Sequence, residues 1–169
     1  NIQYTSGTTG FPKGVTLSHH NILNNGYFIG IRINYSNKDR VCIPVPFYHC
    51  FGMVIGNICC TVHGATMVIP NDSFDAKLTL EVVEKEKCTS LYGVPTMFIA
   101  ELHEMDSKSY DLKSLRTGVM AGSICPPEVM KKVENLMNMK EVTICYGMTE
   151  TSPVSTQTKI GTPFEKQIH

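Results

Sequence analysis

Neither sign of charge is in excess in this chain of 169 residues, in which 15 Lys and Arg balance 15 Asp and Glu. A neutral chain has no electrostatic footprint for nucleic acid or an acidic surface, so any anion site has to be local. No Cys-x-x-Cys pair occurs among the seven cysteines (42, 50, 59, 60, 88, 125 and 145), and the six histidines do not fall into ligand pairs with them, which argues against a structural zinc site. Such cysteines read as reduced thiols and place the chain in a cytoplasmic compartment. Vicinal Cys59-Cys60 lies in an apolar run, where inert buried cysteine is the usual outcome. Long apolar runs are missing as well. The longest, Phe51 to Val62, is broken by Gly52, Gly56 and Asn57 and is shorter than the ~20 residues of a bilayer span, so it reads as a core helix. No signal peptide opens the chain, because residue 1 already lies in a presumed strand, and the chain is expected to be a piece of something longer. Repeats, low-complexity segments and domain-scale linkers are absent, and a 42% hydrophobic content suffices for one domain with a real core.

What is present is concentrated in Tyr4-Thr5-Ser6-Gly7-Thr8-Thr9-Gly10-Phe11-Pro12-Lys13-Gly14, a loop with three glycines, four aliphatic hydroxyls and a lysine. Glycines let successive N–H groups turn inward into an anion nest, hydroxyls add donors, and lysine adds a mobile charge. This chemistry suits phosphate. The P-loop of NTPases does not fit: counted from Gly7, Pro12 takes the second glycine position, and Gly14, which has no hydroxyl for magnesium, follows Lys13. Val15-Thr16-Leu17 then alternates as a strand does, so the loop is expected to join strands Ile2–Tyr4 and Val15–Leu17 and not to cap a helix.

Downstream, strand and helix patterns alternate. Ser18 caps a helix running to Ile33, and Asn34 to Lys38 reads as a turn. Strands are expected at Arg40–Pro46, Ala65–Ile69, Thr89–Tyr92, Leu115–Ala121 and Val142–Tyr146, the last of them. Helices are expected at Phe51–His63, closed by Gly64, at Leu78–Cys88 and at Thr96–Met105. Pro126 and Pro127 open another, whose apolar stripe is Val129, Met130, Val133, Leu136 and Met137. Residues 151–169 look loose. Strands apolar on both faces in β-α-β order predict an α/β fold: a mostly parallel sheet flanked by helices, preceded by the β-loop-β phosphate element. In such sheets ligands collect beyond the carboxyl ends of the strands, where His49, Gly93, Gly122, Ser123 and Tyr146 to Glu150 fall.

The first loop resembles the signature loop of the acyl-adenylate-forming superfamily, which includes acyl-CoA synthetases, firefly luciferase and the adenylation domains of peptide synthetases. Pro46-Phe47-Tyr48-His49-Cys50-Phe51-Gly52, Tyr92-Gly93-Val94-Pro95-Thr96, Ala121-Gly122-Ser123 and Tyr146-Gly147-Met148-Thr149-Glu150 resemble further family motifs, in the family's order, and together cover nearly the whole chain. The wording Tyr48-His49-Cys50 and Ala121 to Glu128 is similar to medium-chain fatty acyl-CoA synthetases.

The resemblance implies that a carboxylic acid attacks ATP to give acyl-AMP, and that CoA then displaces AMP. Thr5, Ser6, Gly7, Thr8, Thr9, Gly10 and Lys13 would hold the β- and γ-phosphates, Thr149 would donate to the α-phosphate, and Glu150 would ligate Mg2+. Without the motif, Glu150 reads as a solvated loop carboxylate. Tyr146 would lie along the adenine, with Gly122, Ser123 and Gly147 leaving room for the adenylate. His49 would orient the acid, although a lone histidine beside aromatics is ordinarily a packed residue. Phe51 would line the acyl pocket; Val94 and Met97 are candidate further walls, although an aliphatic or Met stripe is more often plain core, and Ser123 and Ile124 depart from the commoner Gly-Gly-Ala-Pro wording. Lys13, His49, Thr149 and Glu150 are the catalytic candidates. The resemblance also implies that residues 1–169 are part of the large N-terminal domain, without the ribose-binding aspartate and the small C-terminal domain with its lysine. Two other readings remain: an adenylation module without CoA transfer, and a non-catalytic nucleotide-binding module.

Overall fold

The computed structural model describes residues 1–6 and 10–167. Strands β1 (Ile2–Thr5) and β2 (Lys13–Thr16) form an antiparallel pair in which Thr5 lies opposite Lys13. A six-stranded sheet follows in the order β4-β3-β5-β6-β7-β8, built from β3 (Arg40–Cys42), β4 (Thr66–Val68), β5 (Ser90–Gly93), β6 (Thr117–Ala121), β7 (Glu141–Gly147) and β8 (Val154–Gln157). The first five strands are parallel, and β8 runs antiparallel to β7.

Successive strand residues feed opposite faces, as the pleat requires. Cys42, Leu91 and Met120 enter one buried core, with helices α3 (Ala76–Glu86), α4 (Pro95–Ser107) and α5 (Pro127–Leu136) over it. Val41, Tyr92, Val119 and Ala121 enter the other, beneath α1 (His19–Ile33), a π-helix (Phe51–Ile58) and α2 (Cys59–His63). Helices on both faces explain why these strands are not amphipathic.

Local chemistry accounts for most element ends. The Ser18 hydroxyl accepts the Asn21 N–H at 3.1 Å to start α1. Gly64, at φ +68°, closes α2 in the left-handed region, as expected. The Asp75 carboxylate accepts the Leu78 N–H at 2.8 Å, so α3 starts earlier than the apolar pattern suggests, and it ends with Lys87 at φ +51°.

Four expectations need correction. The strand from Arg40 is three residues long, not seven: the Ile43 N–H still bonds to the Val68 carbonyl, but Pro44 and Pro46 have no N–H to continue the ladder. The Phe51–His63 helix is π-helical over its first eight residues. There Gly52 is pressed onto the Pro46 carbonyl, which a Cβ would strike. Leu136 is 60% exposed and lies off the α5 stripe, while Met137, expected on it, is buried together with Met139 just beyond the helix. Finally, β7 is not the last strand. Val154–Gln157 pairs with it because the Asn25 side chain of α1 holds Val154 by both backbone groups, at 2.9 and 3.1 Å, and Phe164–Gln167 forms a short helix α6.

Candidate active site

The carboxyl ends of the parallel strands open into a cavity of about 380 Å³. Its polar lining comes from two short segments. Thr5, Ser6 and Lys13 come from the β1–β2 hairpin, while Thr149 and Glu150 come from a single turn of 3-10 helix (Thr149–Thr151) after β7. Strand β2 packs on that turn, so the lysine and the carboxylate border one space. Both side chains are exposed, and among the described residues neither is in an ion pair.

Phe51 and Ile55, one π-helical turn apart, Ala121 on β6, Cys145 on β7, and Val154 on β8 supply the apolar lining. Burial pushes the Cys145 thiol far above its ordinary value, with Cys125 adding to the effect, so the thiol is a neutral wall. Phe51 is held against the Tyr92 ring, 5.9 Å away between centroids. His49, Gly122, Tyr146, Gly147, Met148 and Pro153 complete the lining.

His49 is exposed, and its Nδ1 accepts the Phe51 N–H at 3.0 Å. A neutral ring so bound carries its proton on Nε2, which makes that nitrogen a donor. Cys50, next to it, is 1% exposed, so consecutive residues face cavity and core respectively.

Of the residues expected at the site from the sequence, Thr5, Ser6, Lys13, His49, Phe51, Gly122, Tyr146, Gly147, Thr149 and Glu150 line this one cavity. Gly10 and Ser123 are exposed outside its lining, and half-buried Val94 is the neighbour that a Cβ on Gly122 would meet at 3.0 Å. Gly7, Thr8 and Thr9 lie outside the described residues. Gly147 has a structural task of its own: a Cβ there would collide with the Pro153 carbonyl where the chain turns into β8. Sequence reasoning missed Ile55, Cys145, Met148, Pro153 and Val154. Ile55 was accessible through its spacing from Phe51, whereas Pro153 and Val154 arrive only through the unforeseen strand β8.

A Gly-, Ser- and Thr-rich hairpin and an acidic turn thus face one another over apolar side chains at the parallel strand ends, the place where sheets of this kind collect ligands. The chain belongs to the AMP-binding enzyme family, whose model matches residues 1–167. It is 58% identical over 168 residues to the Bacillus subtilis (strain 168) protein YngI, named for acyl-CoA synthetases, covering 99% of this chain and 30% of that protein. It is 54% identical over 157 residues to the mitochondrial medium-chain acyl-CoA ligase ACSF2 of Danio rerio, covering 92% of this chain and 26% of that one. The chain thus spans less than a third of the length of these relatives. Among solved structures, the o-succinylbenzoate coenzyme A synthetase of Bacillus subtilis in complex with ATP and magnesium ion superposes with a TM-score of 0.82 at 25% identity, over 97% of this chain and 33% of that one.

Proposed function

We propose that this chain is part of the large domain of an acid–CoA ligase, which activates a carboxylic acid with ATP to acyl-AMP and then passes the acyl group to CoA. One observation carries this reading: the hairpin Thr5, Ser6 and Lys13, the turn Thr149–Glu150 and the apolar residues Phe51 and Ile55 line a single cavity. Phosphate, metal and acyl chemistry are therefore offered within reach of one another. The rest of such an enzyme, including a ribose-binding aspartate and a second lysine, belongs to the part of the relatives' length that these residues do not span.

The roles follow from the chemistry of each group. Thr5 and Ser6 offer hydroxyl donors and Lys13 a mobile cation to the outer phosphates, with Gly7, Thr8, Thr9 and Gly10 supplying N–H groups. Thr149 donates to the α-phosphate. His49, with Nε2–H as donor, orients the acid's carboxylate, whose tail lies along Phe51 and Ile55. Tyr146 offers its ring to the base.

Magnesium fits the donor set. Glu150 is an exposed carboxylate on the cavity rim, and among the described residues no three His, Cys, Asp or Glu side chains form a cage that would hold the ion without phosphate. A hard cation held by one carboxylate, water and phosphate oxygens is the usual nucleotide arrangement, and when bound it neutralises charge that builds on the phosphates. The acid is an apolar one, in keeping with the lining and with the medium-chain relatives. Among the described residues no helix is long and apolar enough to cross a membrane. The seven cysteines are free and buried, which suits a reducing compartment, the cytoplasm or the mitochondrion named for the vertebrate relatives.

The test is acid-dependent exchange of pyrophosphate into ATP, in a full-length ligase carrying these residues. Glu150→Gln should abolish exchange without altering the melting temperature, because it removes a metal ligand from an exposed position. Exchange close to wild type would sink the assignment. Thioester formation on adding CoA separates a ligase from an adenylation module that lacks CoA transfer.

A further inference from the structure

We propose that Tyr92 determines the chain length of the acid: its ring closes the apolar end of the cavity beneath Phe51, so that medium-length tails fit and longer ones do not. This rests on the reading of the cavity as the place where a carboxylic acid is activated. Tyr92 is not among the residues that line the cavity, and the chemistry of activation does not call for an aromatic ring there. Its placement in the sheet carries the proposal.

Ala121 on β6 and Cys145 on β7 lie opposite each other in the sheet and both line the cavity. Side chains two residues back on a strand share its face, so the layer beneath them is Val119 and Thr143, with Tyr92 on β5 opposite Val119. All three are fully buried. Tyr92 is the one bulky side chain of that layer, and its ring lies 5.9 Å from the ring of Phe51, which lines the cavity. One layer further down the sheet residues are again small, Ser90 opposite Thr117, both fully buried. Tyr35, just beyond α1, closes that layer with a hydrogen bond between its hydroxyl and that of Ser90.

The Tyr92 hydroxyl, unlike that of Tyr35, is buried with no hydrogen-bond partner among the described residues. Such a group stabilises nothing by its polarity, so what Tyr92 contributes is the volume of its ring. An alkyl tail that runs along Phe51 and Ile55, past Ala121 and Cys145, ends against this ring. Protein interiors are close-packed, and a methylene beyond that floor has to displace core side chains, which a pocket of this kind penalises by about tenfold or more. Trimming the ring opens room towards Val119, Thr143 and Ser90. It does so without altering any residue assigned to phosphate, metal or carboxylate.

The experiment uses a full-length ligase carrying these residues and a series of straight-chain saturated acids from butanoate to hexadecanoate, with kcat/KM read for each by pyrophosphate exchange. The quantity compared is kcat/KM for the next even-numbered acid beyond the wild-type optimum, divided by that at the optimum. This ratio does not depend on how much of a variant is folded. Tyr92→Val, a good strand residue with less volume, should raise it by about tenfold. Tyr92→Leu, a milder cut that carries the test if the valine variant does not fold, should raise it by less. Tyr92→Phe should keep the wild-type ratio, because the hydroxyl has no partner to lose. Exchange lowered equally for every acid in the valine and leucine variants, with the ratio unchanged, would overturn the proposal and leave Tyr92 a core residue. So would a ratio in Tyr92→Phe as high as in Tyr92→Val, since volume would then not be the cause. No exchange with any acid in the wild type would refute the reading of the cavity itself, whereas exchange with unaltered preference in the trimmed variants refutes only the role of Tyr92.

Discussion

Lys13 and Glu150 border the same cavity from different elements, and their charges are not interchangeable in what they support. On the proposed reading the Glu150 carboxylate is the one ligand this turn would offer a metal ion, so its loss should abolish exchange. Lys13 is one donor among several in its hairpin, so Lys13→Ala should lower exchange only partially, by about tenfold to a hundredfold, and mainly in kcat. A change confined to the ATP affinity would mean that the lysine does not act in the transition state. Away from the site, Glu101 on α4 is fully buried with neither carboxylate oxygen hydrogen-bonded among the described residues, and burial raises its carboxyl well above the ordinary 4.5. Below 4.5 both folded and unfolded forms carry the proton. As pH rises above it, the unfolded chain releases the proton while the folded chain keeps it, so stability declines. Glu101→Met should remove that decline and raise stability at pH 7 by about 1–3 kcal/mol, as measured by urea denaturation at pH 4.5 and 7.5.

The π-helix does two jobs through the same few residues. Its wider turn puts Phe51 and Ile55 together on the cavity side, and π-helical turns are often found at functional sites. Its glycines allow it to lie close on the chain that leads to His49. Gly52→Ala would force a methyl into the Pro46 carbonyl, so the element must move or the strand end must give. The expected result is a loss of about 1–3 kcal/mol, together with impaired exchange in the folded fraction because Phe51 and His49 shift together. A stable Gly52→Ala variant with normal kinetics would show that this close approach is dispensable. The β7–β8 connection is a second such place, where Gly147 meets the Pro153 carbonyl.

At the opposite end of the sheet from the cavity, one guanidinium ties four elements together. Arg116, leading into β6, donates to the Ile33 and Asn34 carbonyls at the end of α1 at 3.3 and 3.0 Å, to Asp39 before β3 at 2.9 Å and to Glu141 on β7 at 2.9 Å. Burial acts to raise the Asp39 carboxyl, but the Ser36 N–H, the Thr89 hydroxyl and Arg116 outweigh it and hold the carboxyl below its ordinary 3.8. Its contribution to stability is therefore complete above 3.8 and is lost as pH falls through the lower folded value. Asp39→Asn should flatten that acid limb. Arg116→Met should cost about 2–4 kcal/mol in urea denaturation near neutral pH while leaving exchange per folded molecule unchanged, since it leaves Asp39 buried and unpaired. Impaired exchange in the folded fraction would mean that this end of the sheet is coupled to the site.

The sequence by itself determined the alternation of strands and helices, the two-sided burial that makes the sheet parallel, and the caps at Ser18 and Gly64, because each depends on near neighbours along the chain. The hairpin was legible as a candidate anion site for the same reason, since glycines, hydroxyls and a lysine fall together in one short loop. Residues such as His49, Tyr146 and Glu150 were legible as site candidates because each follows a strand, and strand ends converge whatever the details of packing. Only the tertiary structure decided the rest. Strand β8 exists because Asn25, far away in sequence, holds Val154, and no local pattern in Val154–Gln157 announces it. The π-helical start of the Phe51 segment depends on its fit against Pro46, and apolar periodicity cannot distinguish it from an α-helix of the same composition.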